Sequence, residues 1–200
     1  AAAAMELVRR KLGDRPVTAV IYTHSHVDHF GGVKGVISQA DADSGRVPVI
    51  APAGFLHYAV AENVIAGPAM LRRSTYMYGS LLPRHACGQC TTGLGPAVSL
   101  GTVSLIAPTL DITHTGQTLT VDGVEIEFQL TPETEAPAEM NFFFPQFGAL
   151  CLAENANGSL HNVLTPRGAL VRDAKAWGDY LTEAWRLFGG RTDIMFTSHF

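Results

Sequence analysis

The chain has 200 residues, a length that suits one domain with ample core. Apolar residues make up 46% and charged residues 16%, which speaks for a globular chain and against disorder. A net charge of −4 with no basic stripe speaks against nucleic acid as a partner, and the longest apolar runs are far too short to span a bilayer.

The opening stretch A-A-A-A-M-E-L-V-R-R-K-L-G predicts a helix. Met5, Val8 and Leu12 share one face, and Gly13 supplies the stop. Pro16 then leads into V-T-A-V-I-Y-T at 17–23, a β-branched run apolar on both faces, as expected for an interior strand of a sheet covered on both sides. Residues 30–38, F-G-G-V-K-G-V-I-S, read as a helix, and V-P-V-I-A-P at 47–52 as a short strand. Residues 53–82 are mostly helical, with a break expected at Gly67-Pro68, and 83–97 is loop-like. The alternation across 118–130 around Asp122-Gly123 predicts a β-hairpin. Strands follow at 140–144 and 148–153 on either side of Pro145. An amphipathic helix covers 173–188 and stops at Gly189-Gly190, and a last strand covers 192–197.

The three cysteines, Cys87, Cys90 and Cys151, are an odd count that argues against a disulfide framework. Cys87 and Cys90 form a lone C-x-x-C with only His85 nearby, so incidental loop thiols are preferred to a metal or redox pair. Residues 12–24 and 188–199 echo one another: a helix ends at Gly, a hydrophobic strand follows, and a His stands just past it. Internal duplication and chance both account for that.

Residues 23–29 read T-H-S-H-V-D-H. An extended backbone places His24 and His26 on one side, while Asp28 and His29 fall in the turn that follows. Imidazole and carboxylate are suitable Zn²⁺ ligands, and sites gather beyond the carboxyl ends of strands in α/β sheets. His57, His85, His114 and His161 are isolated and read as ordinary surface or core histidines.

The H-x-H-x-D-H pattern resembles the signature of the metallo-β-lactamase superfamily. The resemblance implies an α/β fold, an αββα sandwich, here lacking its N-terminal strands, with a metal pair at one edge of the sheets. T-E-A-P-A-E-M-N-F-F-F-P, L-A-E-N, L-H-N-V-L-T-P-R-G, A-W-G-D-Y-L and D-I-M-F-T-S-H-F are similar to type III alkyl sulfatases, dinuclear zinc enzymes that hydrolyse alkyl sulfates such as dodecyl sulfate. Residues 1–200 would then form part of a catalytic domain. Regions outside it would supply a homodimer interface, a lipid-carrier-like domain and the general acid for the leaving alcohol. Bacterial relatives are often exported, which tilts an otherwise open localisation towards periplasm or secretion.

Carried over by motif, the resemblance implies two Zn²⁺ ions. His24, His26 and Glu135 would hold one, Asp28, His29 and His199 the other, and Glu154 would bridge them. Glu133 and Glu139 are near enough in sequence to be confused with Glu135. Asn162 and Arg167 would contact the sulfate of an alkyl sulfate substrate, although Arg167 also reads as an exposed loop arginine. Phe55, Leu56, Met70, Leu71, Tyr76, Met77 and Tyr78 offer either an alkyl channel or ordinary core packing. A lactamase- or thioesterase-like hydrolase, and a non-catalytic zinc-binding protein, are the competing classes.

Overall fold

The structure, a computed structural model, describes residues 1–92, 95, 101–158 and 161–199. Helix α1 (Ala2–Leu12) carries Arg9, Arg10 and Lys11 in its last turn, where positive charge suits the helix dipole. None of its residues is buried, so the Met5, Val8, Leu12 stripe faces outward over a surface groove.

A three-stranded parallel sheet holds β1 (Val20–Ile21), β2 (Val49–Pro52) and β3 (Leu110–Ile112) in that order. The strand expected at 17–23 pairs only at Val20 and Ile21, and it is not interior: among the described residues its one neighbour is β2, paired from Val49. β2 is buried along its whole length. Val49 and Ala51 point to a core with Tyr22, Phe30, Val33, Phe55 and Ile106, while Ile50 points to the opposite core with Ile112, Phe128, Met140 and Phe142. That alternation is what period-two side chains require of a strand covered on both faces.

The second sheet runs β4 (Thr118–Val121), β5 (Val124–Leu130), β6 (Met140–Phe144), β7 (Ala149–Cys151) and β8 (Ile194–Phe196), antiparallel except for the parallel β7–β8 pair. The predicted hairpin turns at Asp122 and Gly123, with φ of 51° and 79°. Two consecutive left-handed residues are what a two-residue hairpin loop requires. In β6, Met140 and Phe142 enter the core between the sheets, while Phe143 packs with Leu150 and Phe188 of helix α6 (Ala174–Phe188). Asp173 caps α6 through the backbone N–H groups of Lys175 and Ala176. The layers are therefore helix, sheet, sheet, helix, the expected αββα sandwich.

One local expectation is corrected and one is refined. Residues 30–38 are not one helix. Helix α2 (Val27–Phe30) stops at Gly31, Val33–Gly35 is a single 3₁₀ turn, and Ser38 then caps helix α3 (Gln39–Asp43) through a reciprocal box with Asp41. Three glycines in five positions weaken a helix too much for its apolar spacing to rescue. The break expected in 53–82 falls at Ala66, immediately before Gly67-Pro68. Helix α4 (Phe55–Val60) widens into a π-helical turn at Ala61–Ile65, and Pro68 sits in the first turn of helix α5 (Gly67–Met77), where it is tolerated. The expected loop is irregular over 83–92 and its residues 93, 94, 96 and 97 lie outside the described residues. Among the described residues no helix is long and apolar enough to cross a membrane.

Candidate metal centre

His24 lies just past β1 and bridges to Glu139 in front of β6, and Met140 N donates to Thr23 O at 3.0 Å. The two sheets are thus tied together at the edge where the motif begins. Extended backbone at His26 carries its ring to the same side as that of His24 and opens α2, whose first turn holds Asp28 and His29. Glu135 sits in the tight loop between β5 and β6. That loop is closed by Thr131 N to Glu139 O (2.9 Å) and by Thr134 Oγ1 to Thr131 O (2.6 Å). Glu154 follows Ala153, which has a left-handed φ of 48° at the end of β7, a strained conformation typical of functional turns. Ser198 N donates to Ala153 O at 2.8 Å, which delivers His199 beside that turn.

All seven residues singled out as ligands converge here. His24, His26, Glu135 and Glu154 form one group, and Asp28, His29 and His199 another. Glu135 Oε2 lies 2.8 Å from His26 Nδ1 and 3.4 Å from His24 Nε2. Glu154 Oε2 stands 3.3 Å from His24 Nε2 and 2.9 Å from His29 Nε2, so it touches both groups. His199 Nε2 lies 3.2 Å from His29 Nε2 and 3.4 Å from Asp28. Glu133 is exposed and belongs to neither group.

These residues fit divalent cations. His24 Nε2 and Glu135 Oε2 are buried polar atoms without a hydrogen-bond partner, an arrangement that costs free energy unless something else satisfies them. Facing imidazole nitrogens and carboxylates, buried in the first group and partly exposed in the second, are the donor set of a borderline-soft divalent ion.

Electrostatics separate the histidines. Burial and repulsion from His29 push His24 down to about 4, so it is neutral at pH 7. Burial also lowers His29, but its hydrogen bonds to Asp28 and Glu154 outweigh that and raise it to about 10. Burial would raise Glu135, yet His26 and His24 beside it bring it down to about 2. Metal binding needs an unprotonated imidazole. At pH 7 the metal-free form carries a proton on His29 that a cation must displace. We expect divalent metal uptake at pH 7 to release at least that proton, and apparent affinity to rise with pH towards 10. Calorimetry in two buffers of different ionisation enthalpy measures it; uptake without proton release at pH 7 contradicts the assignment.

Four residues outside the predicted set are also drawn in. Glu139 is fully buried and its carboxylate ties the two acidic loops together. It accepts from Ala136 N (2.9 Å), Thr134 Oγ1 (3.1 Å) and Glu154 N (3.1 Å). Burial and the neighbouring Glu135 hold its carboxyl well above the usual range. His161, read from sequence as an isolated histidine, places Nε2 3.0 Å from Glu154 Oε1. Arg172 is buried and forks between Glu135 and Asn162. Nε donates to Glu135 O at 2.7 Å, Nη2 pairs with the Glu135 carboxylate, and Nη1 donates to Asn162 O and Oδ1 at 2.8 Å each. Glu62, in the π-helical turn, brings Oε2 to 3.7 Å from His26 Nε2. Glu139 and His161 lie within the quoted stretches T-E-A-P-A-E-M-N-F-F-F-P and L-H-N-V-L-T-P-R-G, whereas Arg172 and Glu62 had no sequence signal.

Asn162 and Arg167 stand beside the centre. The Oδ1 of Asn162 is occupied by Arg172 and Thr165, which leaves its Nδ2 without a partner among the described residues. Arg167 Nη2 lies 3.6 Å from Glu62 Oε2. The channel residues divide. Phe55 and Met70 are buried, with Phe55 stacked on Tyr22 at 4.7 Å, whereas Leu56, Leu71 and Tyr76 are exposed. A cavity of about 60 Å³ next to His26 and Glu135 is lined instead by Tyr58, Ala169, Leu170 and Val171, far smaller than the ~300 Å³ at which small-molecule pockets begin. Cys87 and Cys90 are exposed and join no ligand group among the described residues.

Two stacked sheets flanked by helices, with an H-x-H-x-D-H turn at the edge of one and further candidate ligands from the other, define a known class of metal-site fold. The chain belongs to the metallo-β-lactamase superfamily, whose family model matches residues 1–199. It is 51% identical over 199 residues to a linear primary-alkylsulfatase and 47% identical over 200 residues to an (R)-specific secondary-alkylsulfatase, both from Pseudomonas sp.. Each match covers 100% of this chain and 30% of the relative. The stereoselective inverting sec-alkylsulfatase Pisa1 from Pseudomonas sp. superposes with a TM-score of 0.95 at 46% identity, covering 98% of this chain and 31% of that one. The chain therefore spans about a third of the length of these relatives.

Proposed function

We propose that the protein carrying this chain hydrolyses alkyl sulfate esters, dodecyl sulfate among them, to alcohol and inorganic sulfate at a centre holding two Zn²⁺ ions. The observation that carries the reading is the 51% identity to a linear primary-alkylsulfatase along the whole chain. In this reading His24, His26 and Glu135 hold one ion, Asp28, His29 and His199 the other, and Glu154 spans both. Bound divalent cations supply a water acidified towards neutral pH and neutralise charge on the ester.

The chain's own residues perform the rest. Asn162 offers Nδ2 and Arg167 its guanidinium to the sulfate oxygens, a fork suited to a multidentate oxyanion. Arg172 holds Asn162 in the orientation that leaves Nδ2 available. Carboxylates at 135 and 154, in place of neutral imidazoles, moderate the positive charge of the centre and so favour release of the anionic product. The proton for the leaving alcohol, the dimer contact and the lipid-carrier-like domain are assigned to the rest of the polypeptide, with residues 1–200 as part of the catalytic domain.

Metal analysis of the full-length protein, with parallel assays on dodecyl sulfate and on a β-lactam, tests the reading. Zinc-dependent sulfate release supports it, and lactam turnover without sulfate release overturns it. Arg167→Ala should lower alkyl sulfate turnover about 30- to 1000-fold, or roughly 2–4 kcal/mol, the worth of a charge-assisted contact to a desolvated anion. Zinc content should stay near wild type.

A further inference from the structure

Glu62 is not a member of either ligand group, yet it is held against the centre. The Phe55 ring of α4 stacks on Tyr22 in the core. The helix then widens, with Ala66 N donating to Ala61 O at 2.9 Å across the π-helical turn. Such turns cost regular helical bonding and are found mostly where a side chain must be aimed. Here the side chain is Glu62, only 11% exposed. Its Oε2 lies between two groups of opposite ownership. On one side is His26 Nε2 at 3.7 Å, on the other Arg167 Nη2 at 3.6 Å.

The two nitrogens of His26 are distinguishable. Nδ1 faces Glu135 Oε2 at 2.8 Å and belongs to the ligand group, whereas Nε2 is buried without a hydrogen-bond partner. A metal-ligating imidazole carries its hydrogen on the outer nitrogen and delivers it to a carboxylate or carbonyl, which fixes tautomer and ring orientation. Glu62 is the carboxylate on that side. Its other oxygen, Oε1, is itself buried and unpartnered, so the side chain is held there at a cost. A buried carboxylate without a cation is unfavourable, and Arg167 is the cation beside it.

We propose that Glu62 is a positioning residue with two partners: it orients His26 through Nε2 and seats the Arg167 guanidinium beside the metal centre. The arginine half rests on the reading of Arg167 as the sulfate contact. Metal capture and oxyanion recognition are then coupled through one carboxylate.

The test uses the full-length protein and the variants Glu62→Gln, Arg167→Ala and their combination. Zinc affinity is read by competition with a chromophoric chelator, and kcat and KM with dodecyl sulfate. Glu62→Gln should weaken zinc about 10-fold, as loss of a histidine's outer partner does, and should raise KM. The effect of Arg167→Ala should be about 3-fold or more smaller in the Glu62→Gln background, because residues sharing one network are not additive. Glu62→Asp, read in the same way, replaces Glu62→Gln where that variant does not fold, and a smaller zinc loss supports the proposal. Wild-type zinc affinity in Glu62→Gln with additive effects, while Arg167→Ala alone is impaired, overturns the proposal and leaves the sulfatase reading intact. Undiminished turnover by Arg167→Ala overturns the reading of Arg167, and with it the arginine half.

Discussion

Arg172→Ala is expected to destabilise the metal-free protein by about 3–5 kcal/mol, the cost of removing one partner of a buried ion pair. Arg172 is 6% exposed and Glu135 3%, so water does not replace the lost partner. The substitution also deletes the donors to Glu135 O, Asn162 O and Asn162 Oδ1, and of these the buried Glu135 O carries its own penalty when left unpaired. Arg172→Lys keeps the charge but not the fork. One ammonium cannot serve Glu135 and Asn162 together, so it should recover only part of the loss. Denaturant unfolding of the chelated protein measures both variants, followed through the transition that includes this domain. Adding zinc should narrow the gap between Arg172→Ala and wild type, because the cations then compensate Glu135. A midpoint unchanged by Arg172→Ala would show that the guanidinium does not hold the centre together.

What could be read from the sequence follows the range of the interactions involved. The hairpin at Asp122-Gly123, the capped helix α6 and the ligand turn at 23–29 are set by neighbours a few residues apart, and each lies where local patterning places it. The Phe30–Ser38 stretch misleads because its apolar spacing suits a helix while Gly31, Gly32 and Gly35 break it. β3 was not anticipated: three residues long, it owes its conformation to pairing with β2 some sixty residues away. The same holds at the centre. His24, His26, Asp28 and His29 announce themselves by spacing, and Glu135, Glu154 and His199 by likeness to a family. Arg172 and Glu62 act through pairings 37 and 36 residues distant in sequence, Arg172 with Glu135 and Glu62 with His26. No local pattern marks those pairings. His161 shows the opposite error, since a histidine judged by its neighbours alone proves to be within hydrogen-bond reach of the carboxylate that joins the two ligand groups.

Glu154→Ala should have the largest functional effect of any single substitution in the chain. Glu154 Oε2 lies within 3.5 Å of His24, His29 and His199, and Oε1 lies 3.0 Å from His161, so one carboxylate faces four imidazoles. Those contacts, against the cost of burial, hold its carboxyl far below the usual range. Without it, Glu135 and Asp28 remain at the two sides but no anion stands between the four imidazoles, and two cations would face each other across the position unscreened. Loss of an outer-sphere partner alone weakens metal binding about 10- to 100-fold, and loss of a shared ligand should exceed that. Both zinc equivalents should therefore dissociate on dialysis, with sulfate ester hydrolysis falling to background. Glu154→Gln keeps the shape but not the charge and should behave almost as badly, which separates the electrostatic role from packing. His161→Gln removes only the Oε1 partner and should retain both ions. Metal stoichiometry of the three full-length variants, with dodecyl sulfate hydrolysis alongside, distinguishes these roles. A Glu154→Ala protein that keeps two zinc ions and its activity would mean that the carboxylate is a bystander, and the two ligand groups would then have to be treated as independent sites.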